Sequence, residues 1–506
     1  MEKMRRTRCV RWVFMLTKRP FLTGFPTLLF GSSKRRKQDV LRAERREMRE
    51  RSPGGLCGQL AGEIPAEMVG RHASTKRTRV YSQEVTFWAF LAQVLSGDGS
   101  CAHAVAQVQG WMRARKLPVP SSKTGSYVAA RQALPEAMLK SIHGELFARL
   151  DQSLPGGGLW RGHRVKAIDG TSAQMPDTED NQAAYPQPSG QAEGCGFPVV
   201  QLVGLIDLGH GGFQDFAEST LETGEMRGFD RLEEYLNGGE VFVADRLYSS
   251  YEVVARLLGR GVEFIGRNHQ ARKPDFRRGR KLGPDERVQT WKKPRQQPAQ
   301  SRLSAQEWDR LPEEMEMRVI RTKGPDREGR QRTRYVVTTL IDPVGYPAEE
   351  VASLYVHRWE IELRFRDIKT TMGMEMLRTK SPEMVLKEIM MHAIAYNAVR
   401  LLMLKAAAAH GCSHRRIGFK GVLQVLDACR SGFERTADKP LLMGREKDNL
   451  LERIAERAVA ERAGRNEPRK KKRRPKSYGW LQRPRHAYFE HFRNDEPPLK
   501  ILDEAA

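Results

Sequence analysis

The chain has 506 residues, of which 39% are hydrophobic and 29% charged, and its formal net charge at neutral pH is +25. This length predicts several domains of a globular protein, and the positive charge favours a nucleic-acid partner over a merely soluble basic protein. No apolar run is long enough for a membrane span. The six cysteines are scattered without a CxxC pair, which argues against a zinc module and a disulfide framework and fits a reducing cytosol.

The chain begins with a strongly basic segment. KRRK at 34–37 and RAERREMRER at 42–51 dominate it, and such charge runs predict a flexible arm, which we assign to residues 1–72. Residues 1–52 either contact DNA or are upstream sequence from an over-extended start, and the composition is compatible with both.

Residues 73–160 are predicted to be helical. VTFWAFLAQVL (85–95) is apolar on nearly all sides and predicts a buried helix, whereas AHAVAQVQGWMRARKL (102–117) is amphipathic with a basic end. Exposed arginine and lysine would suit a DNA-binding region. A helical cap on the following domain is equally compatible with this pattern.

Strand-like runs follow the loop PGGGLW and predict a mixed α/β sheet in residues 161–269. The predicted strands lie at 163–170, 197–208, 240–246 and 262–268, with a helix at 251–261 before the last of them. Residues 270–344 are basic and rich in turns, and the runs 317–324 and 334–342 predict a hairpin in a β-rich insertion.

Residues 345–410 are predicted to return to the core as helices. Pro347 followed by two glutamates is typical of a helix start, and MHAIAYNAVRLLMLKAAAA (391–409) predicts a second, mostly buried helix. Residues 411–506 are assigned to a helical C-terminal region whose tail carries the polybasic run RKKKRRPK at 469–476.

Two predicted strands end in an aspartate, Asp169 in AIDG and Asp245 in VADR. Ligands and catalytic groups gather at such strand ends in α/β sheets, although each aspartate alone could serve only in a turn. Glu362, on the helix after Pro347, would add a third carboxylate. Three carboxylates can hold two Mg²⁺ ions, which activate a hydroxyl and stabilise the leaving oxygen in phosphoryl transfer.

The segment YVHRWEIELRFRDIK (355–369) places unusual residue types on one helix face. At about 100° per residue, Tyr355, Arg358, Glu362 and Lys369 fall within about 60° of arc. An Arg358–Glu362 ion pair on an exposed helix would account for only two of them. All four are accounted for if Tyr355, Arg358 and Lys369 bind DNA phosphates beside the carboxylates.

These four residues match the Y-(2)-R-(3)-E-(6)-K signature at every spacing, and the chain thereby resembles the IS4-family DDE transposases. DGT at 169–171 and ADR at 244–246 fit the same resemblance. It implies an RNase H-like core with Asp169, Asp245 and Glu362 as the metal-binding triad, Mg²⁺ as cofactor with Mn²⁺ as a substitute, and a β-rich insertion before the glutamate.

The resemblance also implies a DNA-cutting function. The enzyme would bind the terminal inverted repeats of an insertion sequence and cut and paste them, as at least a dimer on double-stranded DNA in the bacterial cytoplasm. Trp359 would contact a flipped base, with Trp291 or Trp308 of the insertion as a stacking partner, although ordinary packing is favoured for each of these two. A catalytically decayed DNA-binding protein and an RNase H-like nuclease without strand transfer remain the alternatives.

Overall fold

The computed structural model describes residues 53–73, 80–117, 119–154, 158–325, 331–436, 439–459 and 484. Residues 1–52 and the polybasic run 469–476 therefore lie outside the described residues. The prediction of a flexible arm up to residue 72 is wrong for its last part, where a 3₁₀ helix (Pro53–Leu60) precedes helix α1 (Ala66–His72). Leu60, Ile64 and Val69 are buried there, and this apolar burial anchors the segment.

A nine-stranded mixed sheet forms the centre of the protein, in the order β3-β2-β1-β4-β5-β9-β8-β7-β6. Strands β1, β2 and β3 are antiparallel neighbours, and β4 and β5 run parallel to β1. This arrangement confirms the predicted RNase H-like mixed sheet. The strands are β1 (Val165–Gln174), β2 (Val199–Asp207), β3 (Phe213–Thr220), β4 (Val241–Ala244), β5 (Glu263–Arg267), β6 (Arg280–Gly283), β7 (Glu286–Lys292), β8 (Glu314–Pro325) and β9 (Gln331–Thr338).

The β-rich insertion continues this sheet. The predicted hairpin is β8 and β9, and β9 joins the core by pairing antiparallel with β5. Strands β6 and β7 then extend the same sheet outward. The sequence did not reveal β3, β6 or β7, because their apolar and polar residues do not alternate clearly.

Both faces of the central sheet are buried. Ala167 and Val243 pack into the core on one face, whereas their chain neighbours Ile168 and Phe242 pack into a second core on the other. Side chains alternate between the faces of a strand, so adjacent apolar residues need partners on both sides. This explains why β2 and β4 are almost continuously apolar in the sequence.

Helices cover both faces and begin at recognisable caps. The Ser82 and Ser100 side chains each accept a backbone N–H in the first turn of their helices, and Gly411, with φ of 62°, ends the longest described helix. In the described part of the chain, no helix is both long and apolar enough to cross a membrane. The remaining helices are α2 (Gln83–Leu95), α3 (Cys101–Ala114), α4 (Gly125–Gln132), α5 (Glu136–Gln152), α6 (Glu179–Ala184), α7 (Gly224–Leu232), α8 (Tyr251–Gly259), α9 (Ala305–Asp309), α10 (Ala348–His357), α11 (Trp359–Arg366), α12 (Pro382–His410), α13 (Phe419–Thr436) and α14 (Pro440–Ala455).

Helices α2 and α5 pack against the core helix α12, and α3 and α4 pack on α2. Lys387 donates a 2.6 Å hydrogen bond to the carbonyl of Gln132, and the Asn397 amide lies 3.1 Å from the His143 ring. The same amide also hydrogen-bonds the backbone of Phe213 in β3. The helical region and the sheet therefore share one hydrophobic core, as the cap interpretation predicts. This packing leaves the proposed DNA-binding role of the region open.

His414 makes stability depend on pH. Burial, together with the charges of Arg400 and Arg415, lowers the pKa of this histidine to about 3. In the unfolded chain His414 takes up a proton near pH 6.5, whereas in the folded chain it stays neutral at that pH. The free energy of unfolding is therefore unaffected by this histidine above pH 6.5 and decreases progressively as the pH falls toward 3.

We therefore expect His414→Gln to lose less stability than wild type on acidification. When the free energy of unfolding is plotted against pH, the slopes of the two proteins should differ by about 1.4 kcal/mol per pH unit, the value for one proton. Urea unfolding between pH 6.5 and 4.5 measures these slopes. The glutamine can still donate to the Gly209 carbonyl, which His414 contacts at 3.0 Å. Equal slopes for the two proteins would show that folding does not lower the pKa of His414.

Candidate active site

Asp169 and Asp245 lie side by side because β1 and β4 are parallel and in register. Ala167 pairs with Val243, and each aspartate follows two residues later on its own chain. Both side chains therefore belong to the same sheet face. The sequence predicted that Asp169 ends its strand, and this is wrong. Strand β1 continues to Gln174, paired with β2. Asp245 does follow its strand directly and caps the next turn by accepting the N–H of Leu247 at 2.7 Å.

Glu362 joins these aspartates through Arg358. The Arg358 guanidinium donates to Asp169 at 3.0 Å and to Glu362 at 3.1 Å. Arg358 therefore does not merely form an ion pair with Glu362 on the helix surface. It links this glutamate of α11 to Asp169, a carboxylate of the sheet. The Arg358 Nε is buried without a hydrogen-bond partner. This donor is available to a further acceptor at the site.

The segment that carries this residue set is not one continuous helix. Helix α10 ends at His357, α11 begins at Trp359, and the Arg358 N–H bonds the Tyr355 carbonyl at 3.1 Å in a tighter turn. A π-helical turn (Asp367–Thr371) then contains Lys369. The prediction of a single helix is wrong, and the angles calculated for an ideal helix do not apply through to Lys369.

Burial and neighbouring charges shift the pKa values of three residues at the candidate site. Burial raises the pKa of Asp169, and the charges of Asp245 and Glu362 raise it further, while Arg358 opposes the shift. Burial also raises the pKa of Tyr355 and lowers that of Lys369. Partly buried carboxylates that repel one another are stabilised by a cation, and their oxygens are the ligands that hard divalent ions prefer. The donor set therefore fits a divalent metal.

A second group of possible metal ligands lies elsewhere. Among the described residues, Asp151, Asp207 and His210 form the only group of three or more such side chains whose ligand atoms all lie within 4.8 Å of one another. Arg164 binds both aspartates, at 2.9 Å in each case, and His210 contacts Asp151 at 2.9 Å. Arg164 therefore already offsets part of the carboxylate charge. We assign the group to anchoring α5 on the sheet, a role that no sequence motif revealed.

The three tryptophans proposed for base contact differ in exposure. Trp359, at the start of α11, is 44% exposed. Trp291 is only 7% exposed and stacks against the Arg272 guanidinium, 3.7 Å from its ring centre. Trp308 is 6% exposed within the insertion. Ordinary packing, which the sequence favoured for both insertion tryptophans, agrees with this burial.

Known proteins resemble this chain. A family model described as Transposase DDE domain matches residues 160–398, a range that contains all predicted site residues. The transposase InsG for insertion sequence element IS4 of Escherichia coli strain K12 is 26% identical over 341 residues, covering 66% of this chain and 72% of InsG. Among solved structures, the cryo-EM structure of a piggyBac transposase synaptic complex with hairpin DNA aligns with a TM-score of 0.41 and 11% identity, covering 80% of this chain and 85% of that one.

Proposed function

We propose that the chain, a DNA transposase of the DDE type and the IS4 family, moves an insertion sequence by cut-and-paste transposition. In this proposal it cuts DNA at the terminal inverted repeats and joins the freed ends to a target. The observation that carries the proposal is the convergence of Asp169 and Asp245, in register on β1 and β4, with Glu362 through Arg358.

Asp169, Asp245 and Glu362 are the proposed metal ligands and catalytic residues. A DDE transposase depends on divalent metal, and we propose two Mg²⁺ ions, with Mn²⁺ as a substitute. When bound, the metal activates the attacking hydroxyl and stabilises the leaving oxygen of the phosphodiester. The carboxylates come from two strands and a helix, and Arg358 donates a hydrogen bond to both Asp169 and Glu362.

Arg358, Tyr355 and Lys369 are the proposed phosphate ligands. Arg358 retains a buried Nε–H donor without a partner, so it can bind a phosphate oxygen. If Asp169 and Glu362 held a metal ion, Arg358 would no longer be needed to offset their charge, and more of its guanidinium would be free to bind a phosphate. Tyr355 can donate its hydroxyl, and the burial that lowers the pKa of Lys369 also favours a charged phosphate as its partner.

DNA recognition is assigned to two further parts of the chain. We propose that the helical region within 73–160 binds the inverted repeats, with the net charge of +25 supplying sequence-independent attraction. Trp359, exposed beside Arg358, would contact a base flipped out at the cleavage site. Synapsis of two element ends requires at least a dimer, which we propose forms on double-stranded DNA in the bacterial cytoplasm.

The test uses labelled duplexes that carry the element ends, together with supercoiled target DNA. With Mg²⁺ we expect cleavage at the element boundary followed by covalent joining to the target, and with EDTA we expect neither. Cleavage without joining would indicate that the protein is an RNase H-like nuclease without strand transfer. Sequence-specific binding without cleavage under any divalent metal would indicate a catalytically decayed DNA-binding protein.

A further inference from the structure

Helix α11, which carries Glu362, is short and continues at neither end as a regular α-helix. The tighter turn at Arg358 separates it from α10, and the π-helical turn Asp367–Thr371 follows it directly. Helical continuity therefore does not fix the rotation of its 8 residues about the helix axis. Contacts made by its own side chains fix this rotation, and they thereby determine where Glu362 points.

Glu360, on the same helix, is bound by three nitrogen-containing side chains. Its Oε1 lies 2.9 Å from His357 Nδ1 and 3.1 Å from Arg415 Nη1, and its Oε2 accepts a 3.3 Å hydrogen bond from Arg364. The Glu360 side chain is only 13% exposed. Residues two apart in a helix are separated by about 200° around its axis, so Glu360 and Glu362 point to opposite sides of α11. The contacts of Glu360 therefore hold the side of α11 that lies away from Glu362.

Arg415, from the segment after α12, ties this side of α11 to the central sheet. Its guanidinium binds the Glu360 carboxylate at 3.1 Å and donates to the carbonyl of Leu208 at 2.9 Å. Leu208 directly follows β2, and its own N–H bonds the carbonyl of Val165 in β1, the strand that carries Asp169. Because a guanidinium is a planar fork, it fixes the positions of its two acceptors relative to each other. Arg415 thus connects the helix of Glu362 to the strands of the candidate site.

Arg364 completes the contact on the buried side of α11. Its side chain is 8% exposed and lies 3.7 Å from Asp367 as well as binding Glu360. A Cβ atom built on Gly211, in the turn between β2 and β3, would fall 3.1 Å from Arg364 Nε, and the φ of this glycine is 71°. Any other residue at 211 would be strained and would press on the guanidinium. The turn therefore leaves the space that Arg364 occupies beneath α11.

We propose that Arg415 and Glu360 are positioning residues, whose ion pair fixes the rotation of α11 and thereby holds Glu362 toward Asp169 and Asp245. Neither residue touches metal or DNA in this proposal. The inference rests on the proposed function of the centre and adds two residues outside the signature, one of them from the C-terminal region. Displacing a reacting group by about 1 Å can cost about a hundredfold in rate, so a contact on the far side of the helix can control the chemistry.

The competing interpretation is that this ion pair only stabilises the fold. The Arg415 side chain is 39% exposed, and its removal leaves Glu360 paired with Arg364, so Arg415→Met should fold. If the pair is purely structural, this substitution lowers the melting temperature and leaves metal affinity and the cleavage rate unchanged. If Arg415 is a positioning residue, metal affinity and the cleavage rate fall while the melting temperature changes little.

The test combines a titration of the full chain with Mn²⁺ alone, followed by the electron paramagnetic resonance signal of the free ion, and single-turnover cleavage of element-end duplexes with Mg²⁺. We expect Arg415→Met to weaken Mn²⁺ binding and to slow cleavage by about tenfold to a hundredfold, the size of effect seen when a partner that orients a metal ligand is removed. Arg416→Met is the matched control, because this neighbouring exposed arginine bonds the carbonyl of Val459 at 3.0 Å. It removes the same charge and should bind Mn²⁺ and cleave as wild type does.

Glu362→Gln, titrated in parallel, separates the positioning role from the proposed centre. If Arg415 acts through Glu362, Arg415→Met weakens Mn²⁺ binding in the wild type but not further in Glu362→Gln. Equal weakening in both backgrounds, or an Arg415→Met protein that behaves as Arg416→Met does, overturns the positioning role and leaves the centre standing. If Glu362→Gln itself changes neither Mn²⁺ binding nor cleavage, the proposed centre is refuted. Arg415→Gln should show the same loss and keeps the test decisive if the methionine variant does not fold.

Discussion

Replacing Glu362 with glutamine is expected to reduce metal-dependent DNA cleavage by at least about a thousandfold while leaving DNA binding intact. Glutamine keeps the length and shape of the side chain but lacks the negative charge that holds a divalent ion. The Glu362 side chain is 40% exposed, so the substitution leaves no large cavity. Loss of activity would then report on chemistry and not on folding.

Gel-shift binding to the element ends and cleavage of the same duplexes with Mg²⁺ check this result. Glu349→Gln is the matched control, because this exposed glutamate lies in the first turn of α10, away from the carboxylate group. Wild-type cleavage by Glu362→Gln would mean that the third carboxylate of the centre is another residue. Loss of both DNA binding and cleavage would indicate that Glu362 contacts DNA.

Replacing Trp88 with alanine is expected to lower the free energy of unfolding by about 3–5 kcal/mol. Trp88 is 1% exposed on α2, within the core that the helical region shares with α12. Removing its indole leaves a cavity in this shared core. Because they share this core, the helices and the sheet should unfold together in one transition at lower denaturant concentration.

The measurement is denaturant unfolding followed by tryptophan fluorescence and by far-ultraviolet circular dichroism. Trp359→Ala serves as the control, since this tryptophan is 44% exposed and its removal should cost less than about 1 kcal/mol. The same control should weaken DNA binding by about 1–3 kcal/mol if it stacks on a base. A separate early transition in Trp88→Ala would instead identify the helical region as an independent domain.

The local patterns predicted much of the candidate site. The spacing of Tyr355, Arg358, Glu362 and Lys369 requires no knowledge of the fold, and the aspartates were found because apolar runs precede them. Helix α2 and strands β2, β4, β5, β8 and β9 were predicted for the same reason, since their periodicity is encoded in neighbouring residues. Strand β3, with two polar residues after Phe213, carries no such signal.

The sequence by itself determined the residue types of the centre, the order of the main elements and the basic character that suits DNA. The tertiary structure decided which of these residues meet. Asp169 could have ended its strand in a turn, but β1 continues because β2 pairs with it as far as Gln174. Arg358 contacts Asp169, 189 residues away in the chain. Strand pairing and packing join residues distant in the chain, and local periodicity carries no information about such contacts.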